Sequence, residues 1–150
     1  MARAVIFYGY SWQSLEEFGF GMHDFHALYT WEEEQLEQLA AAGRDGTDHR
    51  RGSDEWQAQQ EAAERALGAL MESHGGHDDD EPRSPHLRAA AAPHWWADEY
   101  GRGDAIDPAI LSSIDPEWKT ALDRYLAVHG IKPPEGSNQP GWWLLADGHI

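Results

Sequence analysis

The sequence predicts an α+β fold, a single domain whose small β-sheet holds both the N- and C-terminal strands and is packed by about three helices. Three observations carry that expectation. A β-branched and aromatic run stands near the start, a second apolar run stands near the end, and the stretches between them show helical spacing with recognisable caps. The 150 residues match one ordinary domain, and eight tryptophans, five tyrosines and four phenylalanines are enough large apolar side chains to form its core.

Residues 4 to 8, AVIFY, lack polar alternation, which predicts a strand covered on both faces over about Arg3 to Trp12. Thr30, with Glu33 three positions on and Gly43 as a stop, predicts a helix over 30 to 42. Leu36, Leu39 and Ala40 would face the core, while Glu32, Glu33, Glu34 and Glu37 would form a negative outer surface. A polar loop follows over 43 to 53. Ser53 then caps the longest expected helix, 54 to 73, where Trp56, Ala63, Leu67 and Leu70 recur at helical spacing before Gly75 and Gly76. A flexible acidic loop is expected over about 75 to 86. The stretch HLRAAAAPHWWADEYG mixes helix-favouring alanines with Pro93 and a tryptophan pair, and extended structure is expected there. Asp107 caps a short helix in AIDPAILSSI. Asp115, with Pro116 at the first helical position, opens a helix over 115 to 129 with Trp118, Leu122, Tyr125 and Leu126 on one stripe and Gly130 as its stop. Pro140 and Gly141 lead into the last strand, 142 to 147, which is expected beside the first.

Charge is the strongest global signal. Twenty-seven acids face eleven basic residues, for a formal net charge of −16. The excess is spread along the chain, with nine acids against three basic residues in the first third, eleven against four in the middle and seven against four in the last. Such a surface repels nucleic acid and speeds encounter with basic partners. No cysteine is present, so disulfides and thiolate metal sites are excluded, and the cytoplasm is the expected compartment. The short apolar run at the N-terminus soon meets glycine, serine and glutamine, so no membrane insertion is expected.

The stretch SHGGHDDDEPRSPH, residues 73 to 86, raises the question of a metal. His74 with His77 and His23 with His26 form two His-x-x-His pairs, and Asp78 offers an oxygen ligand to the first, so these are the fallback candidates for metal ligation. The glycines between His74 and His77 argue instead for a helix terminus, and neither metal nor cofactor is expected. Asp78, Asp79, Asp80 and Glu81 read as a mobile acidic loop that touches a partner. The glycine and terminal glutamate of a calcium-binding loop are missing. Phosphate-binding loops, nucleophile elbows and zinc-protease helices are absent from the sequence too, and no catalytic residue is assigned. Trp95 with Trp96 and Trp142 with Trp143 place neighbouring indoles on opposite faces of a strand, which makes one of each pair a candidate anchor for a protein partner.

The stretches VIFYGYSW and PGWWLLADGH, with the helix DPEWKTALDRYLAVHGI before the second, resemble small acidic α/β proteins encoded by phages and prophages. The resemblance covers about a third of the chain. It implies a protein that acts on host machinery in the host cytoplasm, in the manner of inhibitors of CRISPR and restriction systems, some of which imitate DNA. No site residue is carried over by it. Composition and resemblance together lead us to expect a non-enzymatic acidic binding protein or inhibitor that engages the basic surface of a nucleic-acid-binding complex, without touching nucleic acid or membrane itself. A small hydrolase or metal-dependent enzyme using His and Asp ligands is the alternative.

Overall fold

The structure, a computed structural model, describes residues 3–42, 52–74, 84–98, 100–101, 103–136 and 139–147. Along the chain run β1 (Arg3–Ser11), α1 (Leu15–Phe18), α2 (Met22–Ala42), α3 (Asp54–Leu67), β2 (Ala69–His74), β3 (Ser84–Ala89), β4 (Trp95–Asp98), α4 (Pro108–Leu111), α5 (Pro116–His129) and β5 (Gly141–Asp147). The fold is α+β, with the N- and C-terminal strands paired in one antiparallel five-stranded sheet.

β1 is the centre of that sheet. Along one edge β5 pairs with residues 3 to 9. Along the other, β3 pairs with Gly9, Tyr10 and Ser11, and β4 pairs with Arg3 to Ile6. β3 and β4 therefore occupy one strand position beside β1, interrupted opposite Phe7 and Tyr8. β2 extends the sheet beyond β3, with Ala69 opposite Ala89 and Glu72 opposite His86.

Alternation along β1 puts Tyr8 and Tyr10 on one face and Phe7 on the other. The first face joins Met71, Leu87 and Ala89 to Phe18, Phe25, Leu28, Trp118, Leu122, Tyr125 and Leu126 in the main core. Each fully buried Phe or Leu of this kind stabilises the fold by ~1.5–3 kcal/mol. Phe7, Leu70, His86 and Arg88, all on the second face, are also buried. The Phe7 and His86 rings stack with centroids 4.2 Å apart. Gly9 sits where β3 approaches most closely, since a Cβ there would lie 1.8 Å from the Leu87 carbonyl oxygen.

Two helix boundaries differ from expectation. α2 begins at Met22, eight positions before Thr30, whose hydroxyl donates to the His26 carbonyl within the helix at 3.1 Å instead of capping it. α3 stops at Leu67 because Gly68 turns the chain at φ 94°, and Leu70 falls on β2. α5 follows its sequence signals, with the Asp115 side chain accepting from Glu117 N and Gly130 closing the helix in the left-handed region. No described helix is long and apolar enough to cross a membrane.

Candidate functional site

Of the four α2 acids expected at the surface, Glu33, Glu34 and Glu37 are exposed. Glu32 is not. Because the helix begins at Met22, Glu32 falls on the inward stripe of Phe25 and Leu28, and it is 6% exposed. Its Oε2 accepts the Tyr125 hydroxyl at 2.6 Å and the Met71 N–H at 2.9 Å. Burial pushes its carboxyl up to about 7, although both hydrogen bonds pull the other way. Glu32 thus leaves the candidate contact surface and becomes a joint between α2, β2 and α5. α3, which packs against α2, adds exposed Asp54, Glu55 and Glu61. Arg65 is the one Lys or Arg residue in the two helices. Asp78, Asp79, Asp80 and Glu81 lie outside the described residues.

Trp95, Trp96, Trp142 and Trp143 are all half-buried. Trp142 packs edge-on to Tyr8 with centroids 5.3 Å apart, and its Nε1 donates to the Leu111 carbonyl at 2.8 Å. Trp143 Nε1 reaches across to the Gly9 carbonyl at 2.9 Å. On the same sheet face as Trp95, Leu144 is 70% exposed. With Ala4, Ile6, Trp95, Ala97 and Ile106 it borders an apolar hollow at the end of the sheet. The small residues Ala4 and Ala97, which face each other across β1 and β4, leave that space open.

A polar cluster that the sequence does not announce lies on the opposite face. The β2–β3 register sets Glu72 beside His86, and alternation puts Arg88 on the same face. Glu72 Oε2 lies 3.1 Å from His86 Nε2, and Oε1 accepts Arg88 Nε at 3.2 Å. Burial would raise the Glu72 carboxyl, but the His86 hydrogen bond and the Arg88 charge outweigh it and hold it down at about 2. Arg88 NH1 in turn stands 3.5 Å from His94 Nδ1. Burial, with the Arg88 charge, lowers the His94 imidazole below its usual value. The signal for this cluster is the pairing of two strands, one of which reads as helix in the sequence.

His23 and His26 are exposed on α2. His74 ends β2 and His77 lies outside the described residues. Among the described residues no three His, Asp or Glu side chains gather in an arrangement that could hold a metal ion. Comparison of the chain with protein-family models, with curated proteins and with solved structures finds no match.

Proposed function

We propose that the chain is a non-enzymatic binding protein or inhibitor that presents carboxylates to a basic protein surface of the kind that normally holds nucleic acid. One observation carries the reading. The packed pair α2 and α3 exposes Glu33, Glu34, Glu37, Asp54, Glu55 and Glu61, with Arg65 as its one Lys or Arg. An unbalanced helical layer of this sort attracts a cationic surface over a Debye length of ~8 Å at physiological salt. DNA carries one charge per ~1.7 Å of duplex axis, so a surface competing for its binding site needs several carboxylates side by side. The resemblance to phage-encoded inhibitors suggests where to look, among CRISPR effectors and restriction enzymes in a bacterial cytoplasm.

The test is affinity capture from a bacterial lysate at low and high salt, with duplex DNA as competitor. A nucleic-acid-binding complex recovered at low salt, displaced by DNA and lost in the triple variant E33Q/E34Q/E37Q is the expected result. Capture that is indifferent to salt, to DNA and to the triple variant would sink the proposal.

A further inference from the structure

Between Arg88, opposite Gly9, and Trp95, opposite Ile6, the chain spends the six residues 89 to 94 against two of β1, Phe7 and Tyr8. A regular strand would need two. The surplus loops out through a turn in which Ala90 N donates to Gly68 O at 3.0 Å and Ala92 N to Ala89 O at 3.3 Å. It leaves a cavity of about 210 Å³ in the second face of the sheet, bordered by Val5, Phe7, Glu72, Arg88, His94 and Trp96.

The polar groups around this cavity are unequally served. Glu72 has both oxygens engaged, by His86 and by Arg88. Arg88 uses Nε and NH2 on Glu72, and among the described residues its NH1 has His94 Nδ1 as its partner, at 3.5 Å. Good N–H···O bonds run ~2.7–3.2 Å, so this buried end of the guanidinium keeps donor capacity for a closer acceptor. His94 stands beside that end, and its ring N–H, on whichever nitrogen carries the proton, is a second donor at the cavity. Glu72 offsets the charge of Arg88, and the carboxylates of Glu64 and Asp104 also act on Arg88 and on His94 respectively, so an incoming oxyanion is held by directed N–H donors rather than by net charge. Trp96, Val5 and Phe7 supply an apolar wall.

We propose that this cavity binds a small oxyanion, carboxylate or phosphate, carried on an apolar or aromatic body, with the oxyanion on Arg88 NH1 and His94 and the body against Trp96. Arg88 and His94 also border the neighbouring groove against Glu61, Glu64 and Arg65 of α3, so the site adjoins the acidic helical layer while the cavity itself opens on the sheet. Glu72 is a positioning residue in it, holding the guanidinium by one edge and leaving the other free.

Calorimetric titration of the full chain with benzoate, phenyl phosphate, acetate, inorganic phosphate and benzylamine tests it. Benzoate or phenyl phosphate should saturate one site at a Kd of ~1 mM or tighter, ahead of acetate and inorganic phosphate by about tenfold. Which of the two binds better decides between carboxylate and phosphate. Arg88→Lys keeps the charge but removes the planar fork, and His94→Ala removes the second donor, so each should weaken binding by about tenfold. Thermal melts report whether each variant folds, and His94→Ala and Trp96→Leu decide the matter if Arg88→Lys does not. No saturation by ~10 mM, equal binding of benzylamine, or binding unchanged in the folded variants would overturn the proposal.

Discussion

The Tyr125 hydroxyl donates to the Glu32 carboxylate at 2.6 Å across 93 positions of sequence, and the same oxygen takes the Met71 N–H. Three elements, α5, α2 and β2, thereby meet at one buried acid. A carboxyl in that position resists ionisation, so its folded value of about 7 stands above the ordinary 4.5.

Stability should therefore depend on pH in a definite direction. A raised carboxyl binds its proton more tightly in the folded chain, so its contribution is complete below pH ~4.5 and is lost as pH rises to about 7. Glu72 works the other way. Held at about 2, it contributes above pH ~4.5 and loses that contribution as pH falls toward 2. Thermal melts across pH 3 to 9 should place the maximum contributed by these two groups near pH ~4.5–5.

Glu32→Gln isolates one limb of that profile. Glutamine offers the same acceptor oxygen to Tyr125 and Met71 without the charge, so the variant should be more stable than the parent at pH 8, by up to ~3 kcal/mol. At pH 4.5 the two should be nearly equal. Denaturant titration at both pH values checks this, and a variant destabilised at pH 8 would contradict it.

Tyr125→Phe leaves the Glu32 carboxylate with Met71 N–H as its remaining hydrogen bond. The expected cost is ~1–3 kcal/mol at pH 8, where the acid is ionised, and less at pH 5. The Glu32 carboxyl should titrate higher still, because the lost hydrogen bond was one of the influences lowering it. Carboxyl NMR shifts would read that directly.

Gly9→Ala should be poorly tolerated, since the added methyl would stand 1.8 Å from the Leu87 oxygen in the middle of the sheet. Either β3 moves away from β1 or the strand bends, and ~1–3 kcal/mol is a reasonable scale for such overpacking. Unfolding in urea measures it. Wild-type stability in the alanine variant would mean that the two strands are not held that closely.

The two terminal strands and the third long helix are legible because their signals are local. AVIFY and GWWLLAD carry their own β character, and Asp115 with Pro116 marks a helix start that a tripeptide suffices to recognise. In the sequence α2 looks short because Thr30 and Glu33 imitate a capping box in mid-helix, while the true start near Gly21 offers no side-chain cap. The earlier start turns Glu32 from the outer surface to the buried face. β2 looks helical in the sequence because ALMES favours helix locally, and pairing with β3 makes it a strand. Glu72, His86 and Arg88 come together through that pairing alone, which is why no spacing in the sequence reveals them.

The hydrogen bond from Trp143 to Gly9 spans 134 positions, and the β1–β5 ladder, from Gly9 opposite Gly141 to Arg3 opposite Asp147, closes over a similar distance. On the ribosome, at ~5–20 residues per second, β1 emerges roughly 7 to 27 seconds ahead of the strand that completes it. During that interval a nascent chain exposes at least one unpaired edge of AVIFYGY, and both edges until β3 and β4 have followed, in a segment without charge or proline and rich in β-formers. Stalled chains that end before Gly141 should accordingly recruit chaperones, and chains synthesised with β5 clear of the exit tunnel should release them.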